Sequence, residues 1–282
     1  MGWPLAHSVS PAMHNAAFNA LGLNWRYVPL PVRPDRIAAA VKELAALGFR
    51  GANVTVPHKQ AVMAAVDSAT REAREVGAAN TLVIDQDADG AARTCGHNTD
   101  VQGFIAALRN GGLEPEGCGS AVILGAGGAA RAVSYGLLNA GIRQIVILNR
   151  ALPRAATLVA DLNGLHRWQG RLRALELSRE ALIESARGSD LLVNATPTGM
   201  WPAVDNSPWP DDEAIPRHLV VFDLVYNPAE TRLLWQARQS GACPMGGLEM
   251  LVQQGALAFR IWTGEEPPLD AMRAAAREAL VR

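Results

Sequence analysis

Short apolar runs alternate with longer amphipathic stretches along almost the whole chain. In the first part, residues 25–30, 51–56, 79–84 and 92–96 have the pattern of strands, and the alanine-rich residues 34–47 have that of a helix. Strands that alternate with helices are typical of an α/β protein with mainly parallel sheets. We therefore predict this fold class for the chain.

A second series begins after a segment rich in glycine and proline at residues 110–120. Strands are predicted at 121–124, 144–148, 190–194 and 219–223, with helices from Gly128 and after Arg150, and this order is that of a Rossmann-like domain. Two helical patterns, 248–262 and 269–281, complete the chain. We predict one domain of residues 1–100 plus 249–282, to which these helices return, and a Rossmann-like domain of residues 101–248.

Composition narrows the class of protein. The 282 residues are 49% hydrophobic and 19% charged, and 26 basic against 27 acidic residues leave a net charge of -1. This balance disfavours nucleic-acid and membrane-surface partners. Three cysteines without a CxxC pair fit neither a disulfide framework nor a zinc cluster. With no signal-peptide pattern at the start, the expectation is a cytoplasmic protein, either a monomer or a homodimer.

A glycine-rich turn follows the predicted strand 121–124. Gly125, Gly127 and Ala130 form GxGxxA and open a helix, which is the context that the dinucleotide-binding fingerprint requires. After the next strand stand Arg150 and Arg154, where an NAD enzyme carries an acid for the ribose hydroxyl. Spacing alone fits solvated surface arginines equally well, but their position at the strand end favours NADP, because guanidinium groups bind a 2′-phosphate.

Polar residues near the start of the chain form a third candidate site. Ser10 and Pro11 predict a helix N-cap and a first-turn proline, so that unpaired N–H groups at this end could bind an anion. The alternative is that Ser10 only caps its own helix and that no anion binds there. A metal site built on His7, His14 and His58 is disfavoured, since these residues form no HxxxH or HxH pair.

Several further motifs carry polar residues in a fixed order. They are NVTVPHK at 53–59, GAANTL at 77–82, NTD at 98–100, GAGGAAR at 125–131, NR at 149–150, NATPTGM at 194–200, DLVYNP at 223–228 and GLEMLVQQGALAFRIWTG at 247–264. With these motifs the chain resembles the shikimate dehydrogenase family along nearly its whole length. The resemblance implies NADP-dependent, reversible reduction of 3-dehydroshikimate to shikimate in the chorismate pathway of aromatic amino-acid biosynthesis.

The resemblance also implies a role for individual residues, with substrate bound by the first domain and NADP by the second. Lys59 and Asp100 would be the catalytic pair. The substrate carboxylate would contact Ser8, Ser10 and Tyr226, and the ring hydroxyls Thr55, Asn80 and Gln254. The implied cofactor-binding residues are Gly125, Ala126, Gly127, Gly128, Ala129, Asn149, Arg150, Arg154, Thr196, Met200 and Gly247.

Other interpretations remain for these residues. In isolation, Lys59 would be a solvated lysine and Asp100 a helix N-cap. Ketone reduction, however, needs a proton donor at the oxygen, and a lysine held beside an aspartate can serve. The alternatives are a quinate or aminoshikimate dehydrogenase that uses NAD, which Ser10 disfavours, and a non-catalytic NADP-binding regulatory module.

Two departures from the family pattern bear on the structure. The first strand of the family has no counterpart ahead of Gly2, so that either the true start of the protein lies upstream or the first sheet lacks this strand. The threonine that usually follows the NR motif is Ala151, which removes a possible hydroxyl donor to a 2′-phosphate.

Overall fold

A computed structural model of the protein describes residues 1–5, 8–86 and 91–281. The chain divides into two compact units. Unit 1 consists of Met1–Gly103 and Val252–Arg282, and unit 2 is Phe104–Leu251. The predicted α/β fold class is confirmed, and so is the return of the C-terminal helices to the first unit.

Helices and strands alternate along most of the chain, as the sequence pattern predicts. The α-helices are α1 (Ser10–Ala20), α2 (Ile37–Ala46), α3 (Arg71–Val76), α4 (Asp100–Asn110), α5 (Gly128–Asn139), α6 (Leu152–Asn163), α7 (Arg179–Arg187), α8 (Arg232–Ser240), α9 (Leu248–Thr263) and α10 (Leu269–Val281). The strands are β1 (Gly51–Asn53), β2 (Ser68–Ala69), β3 (Thr81–Gln86), β4 (Ala92–His97), β5 (Ser120–Leu124), β6 (Gln144–Asn149), β7 (Leu172–Glu176), β8 (Leu191–Asn194), β9 (Val220–Asp223) and β10 (Cys243–Gly246).

The sheet of unit 1 has the strand order β1-β3-β4-β2. Strand β3 pairs antiparallel with both β1 and β4, whereas β2 and β4 are parallel. This sheet is therefore mostly antiparallel, unlike the mainly parallel sheets that the sequence pattern predicts. The reason is the short connection between β3 and β4, which cannot form the crossover that a parallel pair needs.

The strand predicted at residues 25–30 is wrong. A strand needs a neighbouring strand whose backbone groups pair with its own. Here the side chain of Asn15 forms these hydrogen bonds instead. Its Oδ1 accepts from the Tyr27 N–H at 2.8 Å, and its Nδ2 donates to the Tyr27 carbonyl at 2.9 Å. Next to this segment the described residues show a single bridge, between Gly2 and Pro31.

Unit 2 contains a six-stranded parallel sheet in the order β10-β9-β8-β5-β6-β7. Its inner strands are buried along almost their whole length, as in sheets covered by helices on both faces. The edge strands β7 and β10 were not predicted. Strand β7 is partly exposed and carries Arg173, and β10 includes Pro244, so neither has the apolar pattern of the inner strands.

The C-terminal helix α10 packs along α1, both in unit 1. Among the helices that the structure describes, none combines the length and the apolar character that crossing a membrane would require.

Candidate active site

An ion pair joins two segments of unit 1 that are 41 residues apart. The Nζ atom of Lys59 lies 2.5 Å from Oδ2 of Asp100. Both side chains are largely buried, with 14% of the Lys59 side chain and 4% of the Asp100 side chain exposed. A solvated lysine is thus not what the structure shows. The turn after β1 supplies Lys59, and the first residue of α4 supplies Asp100.

Capping of α4 is done by Asn98 and not by Asp100. The Oδ1 atom of Asn98 accepts from the N–H groups of Asp100 at 3.1 Å and Val101 at 3.3 Å. Its Nδ2 donates to the carbonyl of Ala78 at 2.8 Å. Because Asn98 satisfies these helix-end amides, the carboxylate of Asp100 is available to other side chains.

Asn80 binds the second carboxylate oxygen of Asp100. Its Nδ2 donates to Oδ1 of Asp100 at 2.9 Å and lies 3.1 Å from Oε1 of Gln254. Its Oδ1 accepts from the N–H of Thr99 at 2.7 Å. Gln254 comes close because Gly103 has no side chain: a Cβ there would lie 2.7 Å from the Cβ of Gln254. Lys59, Asp100, Asn80 and Gln254 thus form one connected group.

The remaining predicted substrate residues of unit 1 lie outside this hydrogen-bonded group. Ser8 and Ser10 are half-buried at the start of α1, and Thr55 is exposed after β1. No hydrogen bond joins them to Lys59 or Asp100 in the part of the chain that the structure describes. The predicted N-cap role of Ser10 is wrong, because the helix begins at Ser10 itself and the capping residue is Val9, without a side-chain cap bond.

The histidines do not gather into a metal centre. His58 is buried and its Nε2 lies 2.7 Å from the carbonyl of Val32. His14 is also buried, and His7 lies outside the described residues. Within the described ranges there is no group of three or more His, Cys, Asp or Glu that could hold a metal ion.

The glycine-rich turn of unit 2 has the geometry of a phosphate-binding turn. Gly125 follows β5 with φ 104°, a conformation that side chains disfavour, and a Cβ there would lie 3.0 Å from the carbonyl of Ala195. Gly127 precedes α5, and no atom lies within 4 Å of the position of its missing Cβ. Ala126 is buried, while Gly128 and Ala129 are half-buried in the first turn of α5. The open space and the unpaired helix N–H groups fit a pyrophosphate.

The end of β6 presents two exposed arginines. Arg150 and Arg154 are exposed, and neither forms an ion pair in the described part of the chain. Asn149 donates from Nδ2 to the carbonyl of Ala151 at 2.9 Å, which shapes the loop between them. Ala151 is the N-cap of α6 and makes no side-chain cap bond. The loop and the first turns of α6 therefore carry two exposed cations that an anion can reach.

Asn194, at the end of β8, holds the loop that follows it. Its Oδ1 accepts from the Thr196 hydroxyl at 2.6 Å, and its Nδ2 donates to Oδ1 of Asp223 at 2.9 Å. Further along this loop, Met200 is 46% exposed. A Cβ at Gly247 would collide with the carbonyl of Leu224, so only glycine fits that close approach.

Asp223 is the last residue of β9, and Tyr226 lies in the segment that follows this strand. Asp223 is fully buried, and desolvation raises its pKa to about 6, although hydrogen bonds from Thr231, Val225 and Asn194 act in the opposite direction. Burial also raises the pKa of Tyr226, so its phenol stays protonated and can donate a hydrogen bond at neutral pH. Asp223 was not predicted from the sequence as a site residue, and its hydrogen bonds with Asn194 and Val225 join the ends of β8 and β9.

Models of one protein family match three parts of the chain. Residues 1–82 match the model described as "Shikimate dehydrogenase substrate binding domain", residues 116–198 "Shikimate / quinate 5-dehydrogenase", and residues 247–277 "Shikimate 5'-dehydrogenase C-terminal domain". The shikimate dehydrogenase (NADP(+)) of Methanopyrus kandleri is 47% identical over 99% of this chain and 94% of its own length.

Two solved structures resemble the protein over nearly all of both chains. Shikimate 5-dehydrogenase from Thermus thermophilus, in complex with NADP(H) and shikimate, has a TM-score of 0.84 and 40% identity, covering 99% of this chain and 97% of that one. Quinate dehydrogenase from Corynebacterium glutamicum, in complex with NAD, has a TM-score of 0.85 and 32% identity, covering 98% and 96%. The chain belongs to the shikimate dehydrogenase family.

Proposed function

We propose that this protein is an NADP-dependent shikimate dehydrogenase, which catalyses the reversible reduction of 3-dehydroshikimate to shikimate. The observation that carries the proposal is the Lys59–Asp100 ion pair, held in a polar group with Asn80 and Gln254. A regulatory module that had lost the chemistry would have no need to keep a largely buried ion pair, because such a pair is costly to desolvate.

Unit 1 binds the substrate. The ring hydroxyls contact Asn80 and Gln254, with Thr55 as a further donor, and the carboxylate accepts from Ser8 and Ser10 at the start of α1. The N-terminus of this helix favours an anion, because its first N–H groups are unpaired and its dipole is positive there. The hydroxyl of Tyr226 is a further donor to the carboxylate, in keeping with its protonated state.

Unit 2 binds the cofactor. The turn from Gly125 to Ala129 receives the pyrophosphate, Arg150 and Arg154 bind the 2′-phosphate next to Asn149, and Thr196, Met200 and Gly247 line the nicotinamide. The glycine geometry at the turn supports this fit, and so do two exposed arginines that form no ion pair with any described residue. When bound, NADPH supplies the hydride for the ketone carbon.

Residues of unit 1 carry out the proton transfer. Lys59 donates a proton from Nζ to the ketone oxygen during reduction and accepts it back during oxidation. Asp100 holds the lysine side chain in place, since its Oδ2 lies 2.5 Å from Nζ. Asn80 prevents the carboxylate from turning away, because it binds the oxygen that Lys59 does not.

We also propose a cytoplasmic location and a monomeric or homodimeric state, with no nucleic-acid or membrane partner. Cys95, Cys118 and Cys243 are free thiols, which suits a reducing compartment. Size-exclusion chromatography with light scattering would test the assembly.

A matrix of initial rates tests the proposed function. Shikimate and quinate are each oxidised with NADP+ and with NAD+, and formation of the reduced nicotinamide is followed by its absorbance. We expect the highest kcat/KM with shikimate and NADP+. A higher value with quinate and NAD+ would make the protein a quinate dehydrogenase, and binding of NADPH without turnover of either acid would make it a non-catalytic module.

A further inference from the structure

Tyr27 is held from two sides by consecutive residues of α1. Both polar atoms of the Asn15 side chain bond the Tyr27 backbone, at 2.8 and 2.9 Å. The imidazole of His14 is stacked on the phenol ring, with centroids 4.6 Å apart and an angle of 3° between the planes. The Trp262 ring is tilted relative to both of these rings, and its centroid lies 5.4 Å from that of His14 and 6.2 Å from that of Tyr27. The phenol therefore has little freedom to move.

His14 takes part as an uncharged ring. It is fully buried, and desolvation lowers its pKa to about 3, with the nearby Asn53 side chain offsetting this only in part. A neutral imidazole can stack face to face on a phenol without placing a buried charge beside it. The two residues of α1 thus orient Tyr27 by packing and by backbone hydrogen bonds.

The Tyr27 hydroxyl continues into a chain of hydrogen bonds. It donates to Oδ1 of Asn53 at 3.0 Å. With its oxygen so engaged, Asn53 directs its amide nitrogen to Oγ1 of Thr81 at 3.1 Å and to the carbonyl of Asn80 at 3.3 Å. Reversing the Asn53 amide would place its NH2 group against the tyrosine hydroxyl and its oxygen against the Asn80 carbonyl. The Asn80 carbonyl excludes the reversed amide because a carbonyl can only accept, and the Tyr27 hydroxyl adds a hydrogen bond that holds Asn53 in the observed orientation.

Thr81 and Asn80 complete the path to the ion pair. The Thr81 hydroxyl donates to Oδ1 of Asn80 at 3.3 Å, beside the Thr99 N–H at 2.7 Å, and the two donors together orient that carboxamide. The amide nitrogen of Asn80 then faces Oδ1 of Asp100 at 2.9 Å. Each link in this series is a hydrogen bond that helps to restrain the next side chain.

We infer that Tyr27 is a positioning residue for the reaction, acting through Asn53 and Asn80 on the carboxylate that holds Lys59. This inference rests on the proposed function. Tyr27 has no direct part in the chemistry. Its hydroxyl keeps the carboxamide of Asn80 in the orientation that serves both Asp100 and the substrate.

The test removes one oxygen atom. Tyr27→Phe keeps the stacked ring and loses only the hydroxyl, so we expect kcat for shikimate oxidation to fall about tenfold, which is the effect of losing one oriented hydrogen bond. The KM for NADP+ and the melting temperature should stay close to those of the wild type. Tyr135→Phe is the matched control: Tyr135 is a buried tyrosine of unit 2 whose hydroxyl accepts from Arg167 at 3.3 Å, and kcat should not change.

A double-mutant cycle with Asn53→Ala separates positioning from packing. If Tyr27 acts through Asn53, Tyr27→Phe lowers kcat in the wild-type background and has no further effect in the Asn53→Ala background. Equal effects in both backgrounds, or a Tyr27→Phe enzyme with unchanged kcat, would overturn the inference while the proposed function stands. A wild-type enzyme that does not oxidise shikimate with NADP+ would overturn the proposed function and this inference with it.

Discussion

The hydroxyl of Thr231 donates to Oδ2 of Asp223 at 2.6 Å, and its oxygen accepts from the N–H of Leu234 as the N-cap of α8. The other carboxylate oxygen accepts from Asn194. One buried carboxylate thus joins the ends of β8 and β9 to the start of α8. The segments that carry Thr196 and Tyr226 both begin at this junction.

This junction predicts a pH dependence of stability. Burial raises the pKa of Asp223 from 3.8 to about 6, so the folded protein binds this proton more tightly than the unfolded chain does. The contribution of this carboxyl to the free energy of unfolding is therefore complete below pH 3.8 and is lost as the pH rises through about 6. Each pKa unit corresponds to about 1.4 kcal/mol, so the expected loss is about 3 kcal/mol.

Urea unfolding of the wild type and of Asp223→Asn measures that loss. The free energy of unfolding is compared between the two proteins from about pH 3.5 to about pH 7, which is roughly the window in which this carboxyl titrates. Asp212→Asn is the control, because a hydrogen bond from Arg179 lowers the pKa of Asp212 and its difference should have the opposite sign. A wild-type-minus-Asp223→Asn difference that does not change with pH would contradict the prediction.

Removal of the Lys59 ammonium should affect turnover far more than cofactor binding. General acid catalysis of this kind contributes about 10²–10⁴ in rate, so Lys59→Ala should lower kcat by that factor while the Kd for NADPH stays the same. Steady-state rates and NADPH fluorescence titration measure the two quantities. Lys42→Ala, at an exposed position of α2, should leave both unchanged. Wild-type turnover by Lys59→Ala would exclude Lys59 as the acid.

Asn98→Ala should reduce stability and activity together. The variant loses the side chain that accepts from the Asp100 and Val101 amides, and losing an N-cap costs about 1 kcal/mol. Because α4 begins with the catalytic aspartate, kcat should fall as well. Ser178→Ala removes the N-cap of α7 in unit 2 and should cost similar stability with no fall in kcat. The same kcat in both variants would show that this cap has no role in placing Asp100.

Arg154→Ala should weaken binding of NADP+ selectively. A guanidinium that binds the 2′-phosphate contributes nothing to NAD+, which lacks that group. We expect a higher KM for NADP+ and an unchanged KM for NAD+, measured with saturating shikimate. Arg187→Ala, an exposed arginine paired with Glu213, is the control. An equal rise for both cofactors would place Arg154 elsewhere on the nucleotide.

Ala151→Ser should stabilise the protein. Ala151 has the extended backbone of an N-cap, with φ -100° and ψ 93°, but no side chain that can cap α6. A serine hydroxyl can accept a helix N–H and should add about 1 kcal/mol to the free energy of unfolding. The same hydroxyl should lower the KM for NADP+. Ala46→Ser, at an exposed position in α2, should not stabilise; a gain there equal to that of Ala151→Ser would argue against capping.

The sequence by itself determined the fold class, the inner parallel strands of unit 2 and the position of the glycine-rich turn. These follow from local signals: apolar runs of strand length, glycines directly after a strand, and helices that open behind them. The ordered motifs also identified Lys59 and Asp100 as partners, 41 residues apart. Such features depend on neighbouring residues or on a motif that can be read along the chain.

The tertiary structure alone decided how side chains distant in sequence satisfy one another. Residues 25–30 have the pattern of a strand, yet Asn15 takes the backbone bonds that a strand would have used. Asn98 rather than Asp100 caps α4, and the link from Tyr27 through Asn53 to Asn80 crosses three separate segments. Burial and hydrogen-bond pairing set these outcomes, and both depend on which segments meet in space and not on the local sequence pattern.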